Sequence, residues 1–208
     1  MMAGYRLYGR PGNGNMVVEA AFAEAGIAYQ LVTVQKDAEG RFDPAFLALN
    51  PRGQVPLLLL SDGSAMTETA AILLHLADAF PAAGLAPKPG SSARAQHDRW
   101  LTFFHANVYE AILRYHYPNR YVTDPAAAEA VKQAADTFIL QHFAMYDAAL
   151  GAGPYHFGDN PTMLDLMVWM LAGWCNQNDL AERCPKVARQ SAAIAARPAI
   201  GPVALRNP

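Results

Sequence analysis

The sequence predicts an α/β domain with the element order βαβαββα, followed by an all-α helical bundle. Three observations lead to this division of the 208 residues. Strand-like and helix-like segments alternate up to residue 80, a stretch rich in proline, glycine and small residues follows, and every later segment has helical spacing. We therefore expect a first domain at residues 1–81, a linker at residues 82–91 and a helical domain at residues 92–208.

The first strand and the first helix fill a short segment. Tyr5 to Gly9 is typical of a strand, a glycine-rich turn ends it, and apolar residues recur at helical spacing from Asn15 to Ala25. Gly26 supplies a C-terminal stop. Residues Ile27 to Val34 are rich in β-branched and aromatic types and predict a second strand, which a strand–helix–strand connection makes parallel to the first.

The remaining elements of the first half follow from turn and cap signals. Asp43 is placed to cap a short helix that has Pro44 at its first position. A strand at Leu57–Leu60, a brief strand at Ala65–Met66 and a helix from about Glu68 to Phe80 complete the order.

Long helical segments make up the second half. The segment "MLDLMVWMLAGW" is apolar on nearly all sides, which is typical of a helix at the centre of a bundle. Thr162 and Asp165, just before and within its first turn, have the S/T-x-x-D spacing of a capping box.

The charge composition bears on which classes of partner the protein binds. A formal net charge of −2 with 16% charged residues gives no electrostatic sign of a nucleic acid or an anionic bilayer as partner. No apolar stretch reaches membrane-spanning length and residues 1–9 lack the regions of a signal peptide, so we expect a cytoplasmic protein. Cys175 and Cys184 read as free thiols, and no metal-site spacing is present.

Three motifs anchor both halves of the chain: "LYGRPGNGN", "NPRGQVPLLLLSDGSAMTETAAILLHLAD" and "GDNPTMLDLMVWM". Their order and spacing resemble the cytosolic glutathione S-transferase family, which joins a thioredoxin-like N-terminal domain to an all-helical C-terminal domain. The resemblance implies a detoxifying transferase with glutathione as co-substrate, a small hydrophobic electrophile as second substrate, and a homodimer.

The resemblance also assigns part of a glutathione site to the strand that follows the second helix. It implies a cis peptide bond before Pro56, so that the backbone of Val55 pairs with the cysteinyl part of glutathione. Without the resemblance, an ordinary trans proline at the start of an edge strand is the expectation. Gln54 belongs to the same implied site.

The start of the third helix is the second part of the implied site. Glu68 and Thr69 match the family's acidic and hydroxyl pair, in which Glu68 holds the α-ammonium group of glutathione and Thr69 holds the α-carboxylate. A helix N-terminus attracts an anion because its backbone N–H groups are unpaired. An ordinary helix cap by Thr67 or Thr69 is the alternative.

The residue that stabilises the glutathione thiolate is harder to assign. The resemblance predicts Ser or Cys in the turn after the first strand, but the serine position holds Asn13 and the cysteine position holds Gly14. Asn13 is our first candidate because its amide can donate a hydrogen bond to a thiolate, although Asn-Gly is also a common turn dipeptide. Tyr8 is second, with packing as its alternative role, and Asn15, a glutathione contact or a cap of the first helix, is third.

The second substrate has candidate contacts in the first long helix of the helical half. His105, Tyr109 and Ile112 share a face by helical spacing and suit an apolar or aromatic electrophile, although aromatic residues at helical spacing more often pack in a core. Conjugation, peroxide or disulfide reduction, and lyase or isomerase chemistry all remain open. A glutathione-binding or partner-binding protein without turnover is the alternative to an enzyme.

Overall fold

The computed structural model describes residues 4–207. Residues 1–3 and 208 lie outside this range. The outer limits of the two predicted domains, and the start of the segment considered for a signal peptide, fall on these residues. The described residues divide into two compact units, residues 4–85 together with residues 196–207, and residues 86–195. The return of the last residues to the first unit has no counterpart in the predicted domain limits.

Four strands and ten α-helices are found among the described residues. The strands are β1 (Tyr5–Gly9), β2 (Tyr29–Thr33), β3 (Leu57–Leu59) and β4 (Ala65–Met66). The helices are α1 (Asn15–Ala25), α2 (Pro44–Leu49), α3 (Thr69–Ala79), α4 (Ser92–Phe103), α5 (Glu110–His116), α6 (Ala128–Ala149), α7 (Met163–Gly173), α8 (Gln177–Arg183), α9 (Pro185–Ala195) and α10 (Gly201–Arg206). Among these helices, none is both long and apolar enough to cross a membrane.

The first unit is built on a mixed sheet with the strand order β2-β1-β3-β4. β1 and β2 pair in parallel, as the strand–helix–strand pattern predicts, whereas β3 is antiparallel to both β1 and β4. α1 and α3 contribute fully buried side chains to the core, among them Phe22 and Leu73. The predicted order βαβαββα is confirmed.

Local signals in the sequence set several element limits of this unit. The Asp43 carboxylate accepts a hydrogen bond from the backbone N–H of Ala45 at 2.7 Å, so it caps α2 as predicted. Gly26 follows α1 in the left-handed conformation at φ 66°, which favours a residue without a Cβ atom. α1 therefore ends where its pattern predicted.

The second unit is all-helical and packs around α7. Every residue of α7 from Met163 to Ala172 is buried, in agreement with its uniformly apolar sequence. Thr162 and Asp165 form the predicted capping box, which satisfies backbone N–H groups at a helix start that water cannot reach. Asp165 is fully buried, so this cap is part of the core.

One turn of the second unit departs from the expected α-helix. Residues Phe104–Tyr109, between α4 and α5, are wound as a π-helix. A π turn holds more residues per turn than an α turn, so residues after it are rotated around the helix axis relative to their positions in an uninterrupted α-helix.

Candidate functional site

The turn between β1 and α1 carries the first candidate donor. The Asn13 side chain donates from Nδ2 to the carbonyl oxygen of Pro11 at 2.9 Å, and the backbone carbonyl of Asn13 accepts from Met16 N at 3.0 Å. Asn13 therefore shapes the turn, as the Asn-Gly alternative expects. An amide carries two N–H donors, and within the described chain Asn13 Nδ2 has only this one acceptor, so the second donor is available to a ligand.

The ring of Tyr8 is held by packing. It stacks on Phe46 with ring centroids 6.0 Å apart and lies against a buried cluster that includes Val34 and Leu57. Its hydroxyl forms no hydrogen bond within residues 4–207. The packing role and the donor role are thus compatible in this residue.

Asn15 is placed differently from the prediction. Gly14 is the N-cap of α1 and no side chain caps that helix start, so the expected cap by Asn15 is wrong. The Asn15 side chain is 1% exposed, accepts from Arg10 N at 2.9 Å and donates to Glu19 Oε1 at 2.9 Å. Its expected contact with glutathione stays a prediction, but its observed partners fasten the turn from inside.

The loop before β3 is organised by Asn50, which sequence reasoning missed. Asn50 is 5% exposed, donates from Nδ2 to the Gln54 carbonyl at 2.7 Å, and accepts from Arg52 N at 3.2 Å. The Val55–Pro56 peptide bond that follows is cis, which confirms the expectation. Gln54 is exposed and Val55 half-buried, so both are accessible to a ligand.

The start of α3 is the most unusual stretch of backbone in the first unit. Glu68 has φ 65°, and it is the non-glycine residue with positive φ in the described part of the chain. Its carboxylate accepts from Arg52 Nη1 at 2.9 Å, a contact that the sequence did not indicate. Residues held in sparsely populated backbone regions cluster at functional sites.

Neither predicted threonine caps this helix. Glu68 occupies the N-cap position of α3, and no side chain of the described residues bonds its first N–H groups. The capping alternative for Thr67 and Thr69 is therefore wrong. Thr69 is 3% exposed and no acidic residue lies in the first turn after the Glu68 N-cap, so the N–H groups of that turn form the positive end of the helix dipole.

The candidate electrophile contacts lie in the π turn and in α5 of the second unit. The rings of His105 and Tyr109 approach edge to face at 6.0 Å, and Tyr109 also packs against Trp174 at 5.6 Å. Ile112 is 2% exposed and belongs to the core. The structure therefore brings the two aromatic residues together and places Ile112 deeper.

A buried carboxylate near the turn was also missed. Glu19 lies in the middle of α1, 1% exposed, four residues after Asn15, with apolar residues at positions 16–18 and 20–22 on either side of it. A charged residue at that spacing was the available signal. Burial, and then the Glu19 charge, raises the pKa of Tyr29 to about 12, so Tyr29 remains a donor to Glu19 at 3.2 Å. In the described part of the chain, no group of three or more His, Cys, Asp or Glu is arranged to hold a metal ion.

Comparison with known proteins decides the family. The model of the glutathione S-transferase N-terminal domain matches residues 16–79, and that of the C-terminal domain matches residues 107–202. Glutathione S-transferase 3 of Zea mays is 30% identical over 207 residues, which cover 95% of this chain and 92% of that relative. The chain belongs to the glutathione S-transferase family. The predictions of this family, of an enzyme within it and of its two-part fold are confirmed.

Other relatives of this glutathione S-transferase carry different names. The GST-like protein YncG of Escherichia coli is 35% identical over 170 residues, 81% of each chain. Disulfide-bond oxidoreductase YfcG of Escherichia coli is 25% identical over 210 residues, 96% of this chain and 94% of that relative. A maleylacetoacetate isomerase of Pseudomonas aeruginosa is 27% identical over 158 residues, 72% of this chain and 70% of the relative.

Solved structures with a similar fold include some that contain bound glutathione. A glutathione transferase homologue from Sulfitobacter, with bound glutathione, has a TM-score of 0.86 and 26% identity, covering 98% of both chains. A sphingomonad glutathione S-transferase complexed with glutathione has a TM-score of 0.78 and 29% identity, covering 95% of this chain and 96% of that one.

Proposed function

We propose that this glutathione S-transferase binds glutathione at the start of α3 and at the loop before β3, and stabilises its thiolate at the turn 10–14. The observation that carries the proposal is the start of α3, where no side chain of the described residues caps the first N–H groups. Such a helix start attracts a carboxylate. The γ-glutamyl end of glutathione supplies a carboxylate for Thr69 and these N–H groups, and an ammonium group for Glu68.

The loop before β3 supplies the second contact. In the described chain, no hydrogen bond engages the backbone of half-buried Val55, which precedes the cis Pro56. The extended cysteinyl part of glutathione pairs with this backbone as one strand pairs with another. Exposed Gln54 borders the same place. The thiol then points towards the turn that carries Asn13.

Asn13 or Tyr8 donates the hydrogen bond that favours the charged form of the thiol, and the positive end of α1 acts in the same direction. The sulfur lone pair forms a new bond to an electrophilic carbon, and the electron pair of the broken bond leaves with the departing group. The electrophile is a small apolar molecule, for which His105, Tyr109 and Ile112 are the proposed contacts. A homodimer and a cytoplasmic location belong to the same proposal.

Calorimetry with glutathione at millimolar concentration tests the binding site. Glu68→Gln should weaken binding about ten- to a hundredfold, because a hydrogen bond to a charged group contributes about 1.5–3 kcal/mol. Glu39→Gln is the matched control, since Glu39 is exposed and pairs with Arg41 instead. The absence of measurable binding in the wild-type protein would contradict the proposal.

Thiolate absorbance in the ultraviolet, followed against pH, tests the activation step. Bound glutathione should ionise below the pKa of the free thiol, and Asn13→Ala should reverse this shift. Reversal by Tyr8→Phe alone would assign the donor to Tyr8. Binding with an unshifted thiol pKa in all three proteins would instead favour the second candidate function, a glutathione-binding protein without turnover, which the lack of Ser and Cys in the turn supports.

The reaction class is tested with three substrates: an aryl halide, an organic hydroperoxide and a mixed disulfide of glutathione. An asparagine at the position of the donor cannot form a mixed disulfide with the substrate. We therefore propose conjugation as the main reaction, with thiol-dependent reduction second. Exclusive turnover of the mixed disulfide would favour an activity like that named for the oxidoreductase relative, and isomerase chemistry is tested with a cis-enone.

A further inference from the structure

A buried hydrogen-bond cluster joins the end of the chain to the turn that carries Asn13. Its centre is the Glu19 carboxylate, whose residue is 1% exposed. Four side chains donate to it: Asn15 Nδ2 at 2.9 Å, Tyr29 OH at 3.2 Å, Arg206 Nε and Nη2 at 3.1 and 3.0 Å, and Asn207 Nδ2 at 3.2 Å. All of these residues belong to the first unit.

The two carboxylate oxygens have separate partners. Glu19 Oε2 accepts from the Arg206 guanidinium and from the Tyr29 hydroxyl, so its charge is compensated by a cation from α10. Glu19 Oε1 accepts from the two asparagine amides instead. The ion pair therefore leaves one oxygen to act as an anchor for Asn15 and Asn207.

The two amides hold the turn in the same way at two points. Asn15 Oδ1 accepts from the backbone N–H of Arg10 at 2.9 Å, and Asn207 Oδ1 accepts from the backbone N–H of Gly12 at 3.2 Å. These N–H groups lie on either side of Pro11. Asn207 is 7% exposed and also donates to the Val203 carbonyl at 3.0 Å, which fixes the orientation of its amide.

One peptide plane links Asn207 to Asn13. The Gly12 N–H that Asn207 binds and the Pro11 carbonyl that accepts from Asn13 Nδ2 belong to the same peptide group. Because a peptide group is planar and rigid, the orientation that Asn207 imposes on the N–H edge also fixes the carbonyl edge. The direction of the Asn13 amide thus depends on a residue 195 positions beyond Gly12.

We propose that Asn207 is a positioning residue, which sets the direction of the Asn13 amide towards the glutathione thiol through the Pro11–Gly12 peptide group. The inference rests on the proposed function, since its readout is the ionisation of bound glutathione. Asn207 does not touch the thiol in this scheme. It acts by holding the peptide group from which Asn13 is oriented.

The test is the thiolate absorbance of bound glutathione against pH, together with steady-state kinetics, for wild type and Asn207→Ala. We expect the pKa of the bound thiol to rise towards its free value and kcat to fall about ten- to a hundredfold, as a displaced catalytic group does. The KM for glutathione should change less than about threefold, because the proposed contacts at Val55 and Glu68 are not altered. Leu205→Ala, at a side chain that is 85% exposed on α10, is the matched control.

A double-mutant cycle separates positioning from general destabilisation. In the Asn13→Ala background, Asn207→Ala should have no further effect on the thiol pKa, because the group through which it acts is gone. Thermal unfolding measured alongside identifies a loss of folded protein. A lower melting temperature with an unchanged thiol pKa and kcat would overturn the proposal, as would equal effects of Asn207→Ala in both backgrounds.

Failure of the inference and failure of the proposed function give different results. If wild-type protein binds glutathione with a lowered thiol pKa and Asn207→Ala leaves that pKa unchanged, the positioning role is wrong and the function stands. If wild-type protein does not bind glutathione, both are wrong.

Discussion

Replacement of Asp165 by alanine should strongly destabilise the helical unit. Asp165 is fully buried at the start of α7. Its Oδ2 accepts from the backbone N–H of Thr162 at 2.7 Å and from the Thr162 hydroxyl at 2.6 Å. Its Oδ1 accepts from His156 N at 2.9 Å and from Gln190 Nε2. Alanine removes the common acceptor of these donors.

The expected cost follows from those contacts. A hydrogen bond to a charged group contributes about 1.5–3 kcal/mol, and a buried donor left without a partner costs about 1–3 kcal/mol. The losses are not additive, because the donors share one acceptor and relax together. Two buried donors, Thr162 N and Gln190 Nε2, are left without this acceptor, and at about 1–3 kcal/mol each they give a cost of about 2–6 kcal/mol. We expect a loss in that range, a large fraction of the about 5–15 kcal/mol of a whole domain.

Urea unfolding followed by tryptophan fluorescence measures this loss. The three tryptophans, Trp100, Trp169 and Trp174, all lie in the second unit, so their emission reports its unfolding. Asp159→Ala is the matched control, since Asp159 is exposed six residues before Asp165. A loss below about 1 kcal/mol for Asp165→Ala would refute the reasoning that this carboxylate is the essential acceptor.

Three further predictions concern titration and charge. Burial raises the pKa of Tyr29 to about 12, so part of the stability present below pH 10 is lost as pH rises to 12, and urea unfolding of Tyr29→Phe should lack this decline. Burial lowers the pKa of His97 from 6.5, so neutral His97 stabilises the fold above that pH and this stabilisation is lost on acidification. In His97→Gln, the free energy of unfolding should therefore fall less steeply below pH 6.5. Arg52→Ala removes an exposed ion pair with Glu68, and calorimetry should show less than about a fivefold loss of glutathione affinity, smaller still at high salt. If Tyr29→Phe or His97→Gln loses stability with pH as much as the wild-type protein does, the corresponding explanation is contradicted. A loss of glutathione affinity in Arg52→Ala that does not depend on salt would contradict the third.

The sequence correctly predicted those features whose interacting residues lie within a few positions of each other. The cap of α2 by Asp43, the end of α1 at Gly26 and the capping box of Thr162 and Asp165 each join residues at most three or four positions apart. Such chemistry is visible in the order of residues alone. The cis bond before Pro56 is different, since only the family resemblance indicated it.

The features that sequence reasoning missed depend on distant partners or on a change of helix winding. Asn15 was expected as a cap, but Gly14 takes that position and the Asn15 side chain turns inward to Glu19. Arg206 and Asn207 lie 187 and 188 residues beyond Glu19, and no periodic pattern reports a contact at that separation. The π turn at Phe104–Tyr109 likewise breaks the period on which the predicted face was based.

The two candidate donors are fixed by different forces, and this difference can identify the one that acts. Tyr8 is held by stacking on Phe46, which is 4% exposed and belongs to the buried cluster that includes Val34 and Leu57. Asn13 is held by hydrogen bonds that lead through the Pro11–Gly12 peptide group to Asn207. Phe46→Leu should therefore raise the thiol pKa only if Tyr8 is the donor, whereas Asn207→Ala should do so only if Asn13 is. Because neither variant removes a donor, the pair tests which neighbourhood orients the group that meets the thiol.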